Sequence, residues 1–153
     1  MDNGKFRRLT EDFWVAPQLE KEDFARIAAL GIRTVINNRP DGEAIDQLPA
    51  AAAAEAARTA GLTYLSVPVR SGGLFPDQIA AMAEAIASSE GPWLAYCRSG
   101  TRSCHLWAFL AARKRPPAEI VEAAARAGYD LRSLWATLEA VHTVGREAEP
   151  APA

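Results

Sequence analysis

The sequence predicts an α/β fold of three layers, a mostly parallel central sheet flanked by helices. Three observations predict it. Apolar or β-branched runs of strand length recur along the chain, segments with apolar positions at helical spacing lie between them, and glycine or proline marks most junctions. The 153 residues, 49% hydrophobic and 24% charged, suffice for one domain with a sizeable core. Residues 1–145 read as that domain, and the Glu/Ala/Pro-rich tail at 146–153 is expected to fray.

The elements follow in order. Phe13-Trp14-Val15-Ala16 reads as a first strand. Leu19 to Leu30 carries Phe24, Ile27, Ala28 and Leu30 on one helical face, and Gly31 stops it. Thr34-Val35-Ile36-Asn37 is short and β-branched, a buried strand, and Asn38-Arg39-Pro40-Asp41-Gly42 follows as a loop. The alanine-rich stretch from Pro49 to Ala60 is a helix ended by Gly61. Leu62 to Val69 alternates as a strand until Ser71-Gly72-Gly73 breaks it. Pro76 to Ser89 is a helix with proline in its first turn and Ile79, Met82, Ala83 and Ile86 along one face. Trp93-Leu94-Ala95-Tyr96 is an apolar strand, and Ser103 to Lys114 a helix that Pro116-Pro117 ends. Two further helices are expected at Ala118–Ala127 and Leu131–Val141.

Bulk properties exclude several partners. A net charge of −2 gives no basic field to attract nucleic acid or an anionic membrane. No apolar run is long enough for a transmembrane helix, and Met1-Asp2-Asn3-Gly4-Lys5 has no apolar core of a signal peptide behind its charge. Two cysteines seven residues apart are a poor staple for a secreted domain, so a reduced, cytoplasmic setting is expected.

The chemistry concentrates in Cys97-Arg98-Ser99-Gly100-Thr101-Arg102-Ser103. A strand ends and a helix begins within a few residues here, so the backbone must curl, and Gly100 permits it. Amides curled this way form an anion nest, and the helix N-terminus adds positive potential. A thiol at the centre is expected to have a pKa lowered by one to several units from about 8.5, and the thiolate is the nucleophile. Arg102 is the candidate clamp for an oxyanion, with Arg98, Ser99, Gly100, Thr101 and Ser103 as candidate binding residues.

Two resemblances bear on this loop. Tyr96 followed by Cys-x-x-Gly-x-Arg resembles the active loop of single-domain rhodaneses, in which the cysteine carries a sulfane sulfur as a persulfide. The protein tyrosine phosphatase signature is similar but has five residues between cysteine and arginine, whereas four separate Cys97 from Arg102, and Tyr96 stands where histidine is usual. Elsewhere, Phe13-Trp14-Val15-Ala16-Pro17-Gln18-Leu19, the stretch from Gly31 to Glu43 containing Asn38-Arg39-Pro40-Asp41-Gly42-Glu43, and Tyr64-Leu65-Ser66-Val67-Pro68-Val69 resemble dual-specificity phosphatases. They resemble more closely the phosphatase-like domain of the bacterial beta-lactamase-hydrolase-like family. That resemblance implies a dual-specificity or tyrosine phosphatase-like fold over residues 6 to 140. It also implies a persulfide dioxygenase as partner, because family members occur alone or fused to one.

Phosphate-ester hydrolysis needs a thiolate, an oxyanion cradle and an acid for the leaving oxygen. The phosphatase resemblance places that acid at Ser71 or Arg70, and neither can serve. Asp41 and Asp77 are the substitutes, each also readable as a turn or cap carboxylate. Sulfur transfer needs no acid, and Cys97, Arg98 and Arg102, with Arg39 or Arg70 as accessory cations, would suffice for it. The expectation is therefore a sulfurtransferase taking thiosulfate or glutathione persulfide as donor and a thiol or cyanide as acceptor. A phosphatase working through a phosphocysteine is the alternative, and a non-catalytic oxyanion or phosphoprotein-binding module the third reading. No cofactor or metal is expected. Cys104 reads as core or as a resolving thiol, His105 as an interior or cap residue, and His142 as a cap of the last helix. Trp14, Trp93, Trp107 and Trp135 read as core.

Overall fold

A computed structural model describes residues 4–70, 72 and 76–148. Its strands are β1 (Arg7–Thr10), β2 (Phe13–Ala16), β3 (Thr34–Asn37), β4 (Thr63–Ser66) and β5 (Trp93–Tyr96). Its helices are α1 (Asp23–Ala29), α2 (Ala50–Thr59), α3 (Pro76–Ala87), α4 (Thr101–Ala111), α5 (Pro117–Arg126) and α6 (Trp135–Ala148), with a 3-10 turn at Arg132–Leu134. The sheet runs β1-β2-β5-β3-β4, with only β1 antiparallel to its neighbour. The fold is α/β with a mostly parallel sheet of five strands, as the sequence predicts.

The strand period of two sorts side chains into the layers on either side. Trp14, Ala16, Val35, Leu94 and Tyr96 face α1 and α2, packing with Leu19, Phe24, Ile27, Ala53 and Ala57. Phe13, Val15, Ile36 and Ala95 face the other way, onto Met82 of α3, Leu106 and Trp107 of α4, Ile120 of α5 and Leu138 of α6. Both faces of the central strands are covered, so they read as continuous apolar runs rather than alternating ones.

Register positions the site. Ala16 of β2 and Asn37 of β3 both pair with Tyr96 of β5, so three parallel strands end on one line. The chain beyond each crosses the carboxyl edge of the sheet, where such folds bind ligands.

Several boundaries differ from the sequence reading. β1 was unforeseen, because Arg7-Arg8-Leu9-Thr10 is an edge strand with only Leu9 buried. The strand expected over Leu62–Val69 is confined to Thr63–Ser66, the stretch that pairs with β3. The helix expected over Leu131–Val141 is divided into the 3-10 turn and α6, and α6 continues to Ala148, so the first three residues assigned to the tail are helical. The last five lie outside the described residues. Trp135, expected in the core, is 43% exposed at the start of α6. His142 does not cap its own helix. Its Nδ1 lies 3.0 Å from the carbonyl of Ala112, at the end of α4. No helix among the described residues is long and apolar enough to cross a membrane.

Candidate active site

Cys97 is the first residue beyond β5, and the chain must turn into α4 by Thr101. Gly100 makes the turn with φ 94° and ψ −9°, a left-handed conformation that disfavours other residues. Space demands glycine as well. A Cβ here would lie 2.1 Å from the Tyr129 hydroxyl and 3.3 Å from the Ala16 carbonyl oxygen. The curled loop turns an amide inward, and Gly100 N–H donates to Cys97 Sγ at 3.2 Å. The cysteine is fully buried. The loop is tied to the end of β2 by Cys97 N–H to the Ala16 carbonyl (3.4 Å) and Gln18 N–H to the Arg98 carbonyl (3.1 Å).

Arg102 lies in the first turn of α4 and is turned toward the sulfur. Its pKa is raised above the ordinary value, first by the Glu43 carboxylate and then also by Cys97. Its Nη1 donates to Glu43 Oε2 and to the Val69 carbonyl, each at 2.8 Å, and its Nη2 to Glu43 Oε1 at 2.8 Å. A guanidinium carries five N–H groups. Three are used by Glu43 and Val69, and the Nε–H and one Nη2–H remain for the side of the guanidinium that interacts with the Cys97 sulfur. Those two share one edge, a spacing that matches two oxygens of an oxyanion.

Glu43 carries this arrangement, and the sequence reading did not single it out. Its Oε1 also accepts from Arg39 Nε at 2.9 Å. Arg102 first, opposed by partial desolvation, and then Arg39 hold its pKa at about 2, so it stays ionised at neutral pH. The only early signal was its place in the Asn-Asn-Arg-Pro-Asp-Gly-Glu stretch; nothing local marks it as the partner of a residue 59 positions away.

The remaining candidates separate by depth. Arg39 is 4% exposed and binds Glu43 and, through Nη1, Gln18 Oε1 at 2.9 Å. It braces the clamp from behind. Ser103 is also turned inward rather than toward an oxyanion: its hydroxyl, without exposed surface, donates to Asn38 Oδ1 at 2.8 Å, and Asn38 Nδ2 donates to the Val67 carbonyl at 3.0 Å. This buried link bolts α4 to the chain leaving β3 and β4. Ser99 and Thr101 are exposed at the loop and bond each other through their hydroxyls at 2.9 Å. Arg98 and Arg70 are exposed, and neither guanidinium has a hydrogen bond or ion pair among the described residues. Asp41 caps a helix: its Oδ1 accepts the Ala50 N–H at 2.8 Å, at the start of α2. Ser71 lies outside the described residues. Cys104 is fully buried in the core, its thiol pushed up to about 12 by burial and then by Cys97. Burial lowers the pKa of His105. Among the described residues, no group of three or more His, Cys, Asp or Glu is placed to hold a metal ion.

Known proteins are similar to this one along most of the chain. The sequence model of the family described as beta-lactamase hydrolase-like protein, phosphatase-like domain, matches residues 5–114. A beta-lactamase hydrolase-like protein of Xylella fastidiosa (strain Temecula1) is 37% identical over 139 residues, covering 88% of this chain and 32% of that protein. The chain thus spans about a third of the length of that relative. Among solved structures, a Neisseria meningitidis protein described as a candidate phosphatase is 34% identical with a TM-score of 0.81, covering 92% of this chain and 99% of that one. TpbA of Pseudomonas aeruginosa, solved with phosphotyrosine, superposes at a TM-score of 0.63 with 14% identity, over 94% of this chain and 91% of that one, which speaks to the fold alone. These findings overturn the expected sulfur transfer. That expectation rested on the lack of an acid at Ser71 or Arg70 and on the short spacing between cysteine and arginine, weighed above the fold; with four intervening residues Arg102 still interacts with Cys97.

Proposed function

Because the chain belongs to the phosphatase-like domain family of beta-lactamase hydrolase-like proteins, we propose that it is a cysteine-dependent phosphatase working through a phosphocysteine intermediate. One observation carries the proposal: Arg102, held by Glu43 and the Val69 carbonyl, interacts with the Cys97 sulfur in a loop whose Gly100 amide already faces that sulfur.

The steps balance without a cofactor. The Cys97 thiolate attacks phosphorus, the S–P bond forms and the P–O bond to the leaving group breaks. Arg102 and the loop amides hold the equatorial oxygens, where charge gathers in the transition state. Water then attacks the phosphocysteine, the S–P bond breaks, and phosphate leaves as dihydrogen phosphate carrying both protons of that water, with the thiolate restored. Cys97 has no exposed surface, so the phosphoryl group must displace what covers the sulfur.

The leaving group narrows the substrate class. Between β4 and α3 the chain reads Val67-Pro68-Val69-Arg70-Ser71-Gly72-Gly73-Leu74-Phe75, without a carboxyl group. Asp41 caps α2, Glu43 is ionised between two arginines, and Asp77 is exposed in the first turn of α3. None of these is poised to protonate a leaving oxygen. The site therefore suits leaving groups that depart without a proton, aryl phosphates and phosphoanhydrides before alkyl phosphates. The test is hydrolysis of a graded series of aryl phosphates by the wild type and Cys97→Ser. Rates should fall steeply as leaving-group basicity rises, and mass spectrometry after acid quench should find phosphate on Cys97. Undiminished turnover by Cys97→Ser, or no turnover of the most activated ester by the wild type, overturns the proposal.

A further inference from the structure

The amide that faces the sulfur has a second end. Gly100 N–H and the Ser99 carbonyl belong to one peptide group, and the two point in opposite directions because the only cis peptide bond among the described residues is Gly91–Pro92. The N–H donates to Cys97 Sγ at 3.2 Å, and the Ser99 carbonyl accepts the Tyr129 hydroxyl at 3.0 Å. We infer that Tyr129 is a positioning residue of the catalytic loop, fixing and polarising the Ser99–Gly100 peptide whose N–H supports the Cys97 sulfur.

Three observations support it. First, nothing larger than hydrogen fits between loop and phenol, given the 2.1 Å that would separate a Cβ at Gly100 from the hydroxyl. Tyr129 and Gly100 are matched, and the peptide cannot rotate toward the phenol. Second, the phenol is itself held. Tyr129 N–H donates to the Ala124 carbonyl at 2.8 Å, and the Arg7 guanidinium from β1 lies 5.2 Å from the ring centroid. Arg7 Nη1 donates to the Ala127 carbonyl at 3.2 Å and crowds Gly128, where φ is 96° and a Cβ would lie 2.9 Å from that nitrogen. Third, burial pushes the phenol above its ordinary value, so it remains a donor throughout the neutral range. Hydrogen bonds in series polarise one another, so a donor at the carbonyl makes the N–H at the other end a better donor to a thiolate.

Among the described residues, few charged and titratable groups act on the pair. Cys97 faces Arg102 and Cys104 from α4 and Tyr129 from the segment after α5, with Glu43 acting through Arg102. Tyr129 faces Arg7 from β1 and Cys97 and Cys104 from the loop and α4. Cys104, pushed up to about 12, stays neutral over the range of interest.

The test is Tyr129→Phe, which keeps the ring and removes the donor. Only its activity arm rests on the phosphatase reading. The midpoint of thiolate formation is followed by ultraviolet absorbance, as the difference from Cys97→Ser in the same background. It should move upward by roughly half a unit to one unit, and kcat/KM for an aryl phosphate should fall roughly three- to tenfold. A midpoint that stays in place overturns the inference, even if activity falls, because a merely structural role would leave it there. A ring-fluorinated tyrosine at position 129, a stronger donor, should move the midpoint downward, and no movement or an upward one overturns the inference whether or not the phenylalanine variant folds. A shifted midpoint in proteins that hydrolyse no phosphate ester upholds Tyr129 and sinks the phosphatase reading alone.

Discussion

Glu43→Gln separates two readings of the carboxylate beside the clamp. Glu43 accepts three charge-assisted hydrogen bonds, at 2.8, 2.8 and 2.9 Å, from Arg102 Nη1, Arg102 Nη2 and Arg39 Nε. Glutamine keeps the length but turns an amide N–H₂ toward one of these donors, so at least one bond and the full charge are lost. A bond to a charged group is worth about 1.5–3 kcal/mol when buried, and partial exposure reduces this; about 1–2 kcal/mol of lost positioning corresponds to a fall of roughly 5- to 30-fold in kcat/KM. The assay is steady-state hydrolysis of an activated aryl phosphate, paired with thermal melts across pH. The carboxyl's folded pKa is lowered, from 4.5 to about 2. Its contribution to stability is thus complete above pH 4.5 and is lost as pH falls toward 2. The stability gap between wild type and Glu43→Gln should be flat near neutrality and close over that acid window. An unchanged kcat/KM would refute the positioning role. A raised one would show that Glu43 plugs the anion site rather than aiming Arg102.

Other outcomes follow from the same geometry. Cys97→Ser should abolish hydrolysis while leaving the thermal melt near that of the wild type, since the substitution is nearly isosteric; steady-state kinetics and a melt check both. Gly100→Ala combines a positive φ with a contact to Tyr129 and should cost about 3 kcal/mol or more, read as a fall of roughly 6–12 °C in Tm. Adding Tyr129→Phe to Gly100→Ala should restore part of that loss, a non-additivity visible in a double-mutant cycle. Ser103→Ala strands Asn38 Oδ1 in the interior and should cost about 1–3 kcal/mol in urea unfolding, with KM unchanged because the hydroxyl faces the core rather than substrate.

Sequence alone revealed those parts whose determinants are local. β2, β3 and β5 were placed at Phe13–Ala16, Thr34–Asn37 and Trp93–Tyr96 because strands buried on both faces must be apolar or β-branched throughout. Gly100 was legible because few residues allow a sharp strand-to-helix turn. β1 was not, since an edge strand is free to carry arginines. Glu43, Asn38 and Tyr129 were invisible for another reason: they meet Arg102, Ser103 and Ser99 across 59, 65 and 30 residues of chain, and no periodicity encodes that. Sulfur transfer was favoured from a missing acid and a short spacing, both read without their three-dimensional setting, in which Arg102 still interacts with Cys97 despite the shorter loop.

The alignment of Ala16, Tyr96 and Asn37 has a consequence for how this scaffold tolerates change. Everything that builds the chemistry departs from one rim. The turns on the opposite rim, at 30–33, 60–62 and 88–92, carry none of it. Lengthening those turns, or grafting another module into the first two, leaves the reactive rim intact, whereas a single residue inserted just past β3 or β5 would unseat the ion pair or the nucleophile.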